Sequence, residues 1–406
     1  MNIALLHYSV PPVVGGVESV IGHHARLMTA DGHSVQMIAA SGESPAETIP
    51  FRSIPLVGSQ HPRVLAVKEQ LDHGRVTAEF GVLRDDISAK LQDALSAIDV
   101  LIAHNVCSLN KNLALTAALY DLQISGKLPR LVLWHHDLAW TTPRYLPELH
   151  EGHPWDMLRT DWGRTLHVVV SELRRQELAE LLKIDPASVH VIPNGVDAAR
   201  FYKLERQTIE LLDKTKLLDA GPLLLLPVRV TPRKNIELVL HILAQLHKQF
   251  PNAAMVVTGP LGPHNASNRE YFDELLKLRA HLNLQGSAHF LVELADSYLP
   301  DEVIADFYRI ADALILPSRE EGFGIPLIEA AFSHLPVFCA DIPPLRELGL
   351  GDAVFFSPDE NPAILANGIA DHFHSSAAAR LTLRCRLNFR WEAVYRQHIS
   401  PLISKG

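Results

Sequence analysis

Cysteine is scarce in this chain. Among 406 residues only Cys107, Cys339 and Cys385 occur, too few and too widely spaced for a disulfide scaffold or a four-cysteine zinc site. A reducing compartment is the matching expectation. No segment offers the ~20 uninterrupted apolar residues of a spanning helix, and the opening MNIALLHYSVPPVVGG shows no basic leader. The sequence therefore reads as soluble and cytoplasmic, with transient, peripheral membrane contact left open. An excess of cations is missing too. Against 46 acidic side chains there are 37 basic ones, a formal charge of −9, which argues against broad nucleic-acid binding while allowing a local basic cleft for phosphate.

Several signatures of chemistry are also absent. The first strand-to-helix turn is not GxGxxG, which disfavours a nicotinamide-dependent dehydrogenase or a sugar-nucleotide epimerase. GPLGPHN at 259–265 lacks the GK[ST] ending of an NTPase phosphate loop, and GVESV lacks the GxSxG of a serine hydrolase. His135, His136 and Asp137 have no nearby partners that complete a zinc ligand set.

What is present is a globular composition, 47% apolar and 20% charged, in a chain long enough for two domains. Apolar runs at 3–7, 34–39, 100–103, 131–135, 167–170 and 189–192 read as buried strands. Helix-spaced segments lie between them at 17–30, 111–120 and 172–182. Residues 198–220 are charged and less regular and read as a connection. The rhythm then restarts, with strands at 223–227, 253–257, 288–291, 313–316 and 336–339 and helices at 235–249, 269–282, 325–332 and 362–374. Such alternation predicts α/β domains with parallel sheets covered on both faces. The expected division is 1–205, 206–385, and a segment 386–406 crossing back to the first domain, with Trp391, Val394 and Tyr395 as anchors. No fixed-period repeat relates the halves.

Four loops can carry chemistry. Gly15 and Gly16 separate the first strand from its helix, where small residues permit close backbone approach and free N–H groups receive phosphate; a merely steric turn is the alternative. RVTPRKN at 229–235 follows another strand, and Arg229 and Lys234 are candidates to receive a diphosphate, with Arg233 the weaker candidate. SREEGFGIPLIEA at 318–330 places Glu321 before Gly322, Phe323, Gly324 and Ile325, and Glu329 in the helix that follows. Glu321 is suited to hold a donor sugar and Glu329 the vicinal hydroxyls of a ribose, a cap or solvent-facing role being the alternative for each. His135 and His136 end a strand and point to opposite faces, so one of them faces a cleft and the other the interior. Asp301, Glu302, Asp306 and Asp312 read as solvated carboxylates near helix ends. Trp134, Trp140, Tyr145, Trp155 and Trp162 are either sugar-stacking surfaces or core anchors.

With GGVES at 15–19, HHD at 135–137, IPNGVD at 192–197, RVTPRKN at 229–235, EEGFGIPLIEA at 320–330 and FRWEAVY at 389–395, the chain resembles family 4 of the nucleotide-sugar glycosyltransferases over nearly its whole length. The resemblance implies GT-B architecture, two Rossmann-like domains facing across a cleft. It implies diphosphate contact at Gly16, donor phosphates on Arg229 and Lys234, Glu321 near the transferred sugar, Glu329 on the ribose, and His136 rather than His135 as the cleft histidine. It further implies transfer of a hexose with retention, without an obligatory metal or other cofactor. UDP-glucose is the leading donor and GDP-mannose the alternative, residues 289–294 being a candidate for base selection. The acceptor expected is a carbohydrate or glycolipid precursor. A noncatalytic nucleotide-sugar-binding regulator is the competing reading.

Overall fold

The computed structural model describes residues 1–261, 266–295 and 298–404; residues 262–265 of the GPLGPHN loop lie outside them. The chain divides into two compact units, Met1–Gly195 with Val394–Gly406, and Val196–Ala393. In the first, the strands are β1 (Asn2–Leu6), β2 (Ser34–Ala39), β3 (Phe51–Ser53), β4 (Val100–His104), β5 (Arg130–His135), β6 (Thr165–Val169) and β7 (Val189–Val191). They form one sheet ordered β3-β2-β1-β4-β5-β6-β7, every pair parallel. In the second, β8 (Leu223–Leu226), β9 (Ala254–Val257), β10 (Ala288–Phe290), β11 (Ala313–Leu316), β12 (Val337–Ala340) and β13 (Val354–Phe356) follow the order β10-β9-β8-β11-β12-β13, again all parallel.

The inner strands of the second sheet, β8, β9, β11 and β12, are apolar without interruption and buried throughout, as expected of a parallel sheet covered on both faces, which has no solvent side for a polar alternation; in the first sheet Gln36 of β2 and His167 of β6 interrupt the pattern. Leu223–Leu226, four leucines in succession, is buried throughout. Both sheets reverse direction between their first and fourth strands, β1 and β4 in one and β8 and β11 in the other. In a doubly wound sheet the crevice outside the carboxyl ends at such a reversal is where ligands bind. The Gly15–Gly16 turn leaves β1, RVTPRKN leaves β8 and SREEGFG leaves β11, so these motifs fall at the reversal points.

Some expectations need correction. Residues 198–220 are not an irregular connection: helices Ala198–Tyr202 and Arg206–Thr215 occupy most of them. Asp306 and Asp312 are not solvated. Asp306 is buried and accepts hydrogen bonds from Glu205 N (2.7 Å) and Thr208 Oγ1 (2.6 Å). Asp312 accepts the Leu223 N–H at 2.6 Å and pairs with Arg386, tying the helix Ala377–Asn388 to the edge of β8. Trp134, Trp155 and Trp162 are core residues, each at most 5% exposed.

The chain enters the second unit at Val196 and leaves it at Ala393, and the two crossings lie side by side: Val196 N donates to Phe389 O at 2.7 Å and Trp391 N to Val196 O at 3.2 Å. Past Val394 the chain packs on the first unit. There Tyr395 Oη donates to Asp31 at 2.8 Å, and Arg130 donates to the carbonyls of Leu402 (2.7 Å) and Ile403 (2.8 Å). Among the described residues no helix is long and apolar enough to cross a membrane.

Candidate functional site

In the second unit the candidate residues gather at the carboxyl ends of β8 and β11. Arg229 follows β8, is exposed, and makes no hydrogen bond or ion pair among the described residues. Its backbone is hemmed in: a Cβ on Gly259 would sit 2.1 Å from Val228 O and 2.7 Å from Arg229 N. Glycine at 259 is therefore what lets the exits of β8 and β9 approach each other, and Val230 N donates to Pro260 O at 3.0 Å across that junction.

Lys234 does not stand free. Its ammonium donates to Glu321 Oε1, both side chains are only 9% exposed, and Ser318 Oγ donates to the same carboxylate oxygen at 2.7 Å. Asn235, the last letter of RVTPRKN, adopts a left-handed conformation (φ 54°) and is buried. Its Nδ2 donates to Pro317 O (3.1 Å) at the exit of β11 and to Pro358 O (2.9 Å) past the end of β13. The side chain that bolts three strand exits together thus lies inside a motif whose visible letters are its charges.

The loop after β11 ends in Gly324, at φ 106°, where a Cβ would meet Leu345 Cδ2 at 2.7 Å. Glycine is required there for backbone conformation and for space alike. The helix Ile325–Phe332 starts directly after it. Among the described residues, the amides of Gly322, Phe323, Gly324 and Ile325 donate to no partner, so four consecutive N–H groups stand at a helix N-terminus. Phe323 and Ile325 are exposed. Glu329, in the same helix, is exposed, and one of its oxygens accepts from Tyr308 Oη at 2.5 Å. Burial, with the Glu329 carboxylate beside it, pushes the Tyr308 phenol well up, so it stays a donor.

In the first unit the helix Gly16–Ala30 begins at the glycine pair, and the amides of Gly15, Gly16 and Val17 are without partners among the described residues. The two glycines differ. A Cβ on Gly15 would meet the Glu18 carboxylate at 2.0 Å, whereas one on Gly16 would meet nothing within 4 Å. Glu18 folds back over that side of the helix start, held by Ser9 Oγ at 2.7 Å, and only the Gly16 side is open.

The doubled histidine separates as an extended strand requires. His135 is buried, its Nε2 3.1 Å from His167 Nδ1 with the rings stacked. His136 is half-buried, its Nε2 3.3 Å from His104 Nδ1. Its loop is clamped by Asn105, whose Oδ1 accepts the His136 and Asp137 N–H groups, both at 3.0 Å. Burial keeps these rings neutral. It pushes His136 down to about 4, with His7 adding to the effect, and holds His104 and His135 well below the usual histidine range. None of Asn105, Asn235, Tyr308 and Gly259 carries a charge: Asn105 and Gly259 sit just past strand ends, Asn235 is a neutral letter of RVTPRKN, and Tyr308 lies inside the helix Asp301–Ile310. Among the described residues no three His, Cys, Asp or Glu side chains are grouped to hold a metal ion.

Two family models match the chain in sequence: Glycosyltransferase Family 4 over residues 14–200 and Glycosyl transferases group 1 over residues 208–385. Mannosylglucosylglycerate synthase of Petrotoga mobilis is 24% identical over 377 residues, 84% of this chain and 83% of that protein. D-inositol 3-phosphate glycosyltransferase of Frankia alni is 30% identical over 260 residues, 59% of this chain and 60% of the relative. Glycogen synthase of Mycobacterium tuberculosis is 24% identical over 371 residues, 87% of this chain and 80% of the relative. With one model on each doubly wound unit, the chain belongs to glycosyltransferase family 4 and is a nucleotide-sugar-dependent glycosyltransferase of the GT-B class.

Proposed function

We propose that the enzyme transfers a hexose, with retention of anomeric configuration, from a nucleoside diphosphate sugar to a hydroxyl of a carbohydrate or glycolipid precursor, UDP-glucose being the first donor to test. The observation that carries the donor site is the run of four amides from Gly322 to Ile325, unpartnered among the described residues, past the end of β11; Arg229, likewise unpartnered among the described residues, lies past the end of the neighbouring β8. Amides at a helix N-terminus and an unpaired guanidinium are both suited to diphosphate oxygens. In this reading Arg229 and Lys234 stabilise the departing diphosphate, Glu321 holds a hydroxyl of the transferred sugar, and Glu329 takes the ribose hydroxyls. Gly16 and His136 act on the same donor, as the family resemblance implies, and the Gly15 amide stands beside that of Gly16 to receive its phosphate.

As the bond from the anomeric carbon to the phosphate oxygen lengthens, negative charge grows on the diphosphate and positive charge on the sugar. Fixed cations and amides aimed at the first stabilise the transition state more than the ground state. The acceptor oxygen attacks the face the phosphate leaves, and its proton passes to the departing phosphate oxygen, which is on that face and gaining negative charge. Glu321 is not assigned as a nucleophile, because its carboxylate is already engaged by Lys234 and Ser318. No obligatory metal is invoked: protein cations and amides supply the compensating charge. GDP-mannose is the competing donor, favoured by the mannosyl products or activities in the names of relatives such as mannosylglucosylglycerate synthase and the serotype-specific mannosyltransferase WbdA of Escherichia coli.

The test is incubation with labelled UDP- and GDP-hexoses and mixed acceptors, followed by product mass and anomeric linkage. An α-linked product from an α-linked donor supports the reading. Inverted linkage, or no acceptor-dependent release of nucleotide from any donor, overturns it.

A further inference from the structure

His136 follows directly on the end of β5, with Nε2 3.3 Å from His104 Nδ1. Only one hydrogen fits between two neutral imidazoles, so one nitrogen donates and the other accepts. What lies behind His104 decides which. Its ring is fully buried, stacked on Trp134 at a centroid distance of 5.2 Å, and its Nε2 has no partner among the described residues. If His136 donated, neutral His104 would have to carry its hydrogen on that buried nitrogen, leaving an orphaned N–H. If His104 donates, only a lone pair is orphaned. Buried N–H groups without partners are the rarer defect in folded proteins. A doubly protonated His104 is no escape, since the rings of His7, His24 and His136 surround it and burial disfavours its charge.

We propose that His104 is a positioning residue that fixes His136 as the Nδ1–H tautomer, so that His136 meets its ligand as a hydrogen-bond donor and not as a base through Nε2. Nδ1 of His136 has no partner among the described residues, and its complement is an acceptor oxygen, such as a hydroxyl or phosphate oxygen of the sugar donor. His104 and Asn105 then form a two-residue clamp at the end of β4: Asn105 fixes the His136 backbone, His104 its ring. His7 steadies the clamp, its Nδ1–H donating to His104 O at 2.7 Å. The ligand part of this inference rests on the donor-side role of His136 proposed above; the tautomer does not.

The tautomer is read directly on the full-length protein by long-range ¹⁵N–¹H correlation after ¹⁵N-histidine labelling, the His136 signals being assigned by their loss in His136→Gln. A protonated Nδ1 is expected; a protonated Nε2 overturns the proposal without any mutant having to fold. His104→Phe keeps a ring on Trp134 and removes the donor. His136 should then lose its tautomer preference and kcat should fall about tenfold with donor KM little changed. His104→Asn, whose amide N–H occupies the place of Nδ1–H, should restore most of that loss. A fall in kcat with the tautomer intact means His104 is merely structural and sinks the positioning role. Unchanged kinetics in His136→Ala removes His136 from the donor reading, an outcome distinct from the spectroscopic one.

Discussion

Replacing Lys234 by methionine tests what this buried cation is for, because it damages two things that can be measured apart. Lys234 and Glu321 are each 9% exposed in their side chains and in contact. Removing one partner of such a pair leaves a buried charge and costs about 3–5 kcal/mol. In a unit of this size that is a fall in Tm of about 6–20 °C, at roughly 2–4 °C per kcal/mol. Glu321→Gln in the same chain should recover most of the loss, since Ser318 Oγ still has an oxygen to donate to and neither side of the pair retains an unpaired charge. Turnover should not recover. If Lys234 supplies a charge-assisted hydrogen bond to the leaving diphosphate, worth about 1.5–3 kcal/mol, the double variant stays about 10- to 150-fold slower than the parent. Thermal unfolding and initial rates at saturating and subsaturating donor, on parent, both singles and the double, separate the two effects. A double variant that regains its rate along with its Tm makes Lys234 a structural residue only, and additive losses of stability would show that the pair is not coupled.

Tyr308→Phe removes the hydrogen bond that orients Glu329. It should raise donor KM about 2- to 12-fold with kcat little affected, and should narrow the preference for ribo- over 2′-deoxyribonucleotide donors; an unchanged preference would separate Glu329 from the ribose. Acidification should destabilise the first unit. His24 is pushed down to about 3 and His136 to about 4, chiefly by burial, so below about pH 6.5 the unfolded chain takes up protons that the folded chain refuses. Stability is complete above that pH and is lost toward pH 4 at ~1.4 kcal/mol per pH unit for each such ring. Denaturant unfolding followed from pH 7 to 4 checks it, a flat profile counting against the burial. Arg386→Met strands the Asp312 carboxylate under β8 and should cost about 3–5 kcal/mol; Asp312→Asn in the same chain should return part of it, as read by thermal melts.

Central strands such as 313–316 were legible because burial on both faces writes them as uninterrupted apolar runs; 34–39 is also bounded in the structure as its letters suggest, although Gln36 interrupts it. The edges were not legible. β3 (Phe51–Ser53) and β13 (Val354–Phe356) are three-residue strands, largely exposed or half-buried; β3 is FRS, with no apolar run, and the VFF of β13 is short and follows a turn-rich stretch. The helices Pro62–Asp72 and Ala78–Ala94 do carry a helical period, burying Val64, Val67 and Leu71 in one and Phe80, Leu83, Ile87, Leu91 and Ala94 in the other, but as one narrow apolar stripe among charged residues it is weaker than the strand runs around it. Helix Arg206–Thr215 hid for another reason: two of its four buried positions are Thr208 and Thr215, which look like surface. At the site, charged and glycine-bearing motifs showed themselves, while the neutral side chains that hold them did not. Asn105 and Tyr308 act through one hydrogen-bonding geometry each, and no letter pattern announces a geometry.

Order of synthesis follows from the path of the chain. Residues 1–195 emerge from the ribosome before residues 196–393, yet the partners of Asp31 and Arg130 lie at Tyr395, Leu402 and Ile403. The first unit must therefore wait, with that seam unclosed, while the second is translated in full. A nascent chain halted at residue 393 should be more open to proteases near Asp31 and Arg130 than the finished enzyme, and the first half expressed alone should need residues 394–404 supplied in trans.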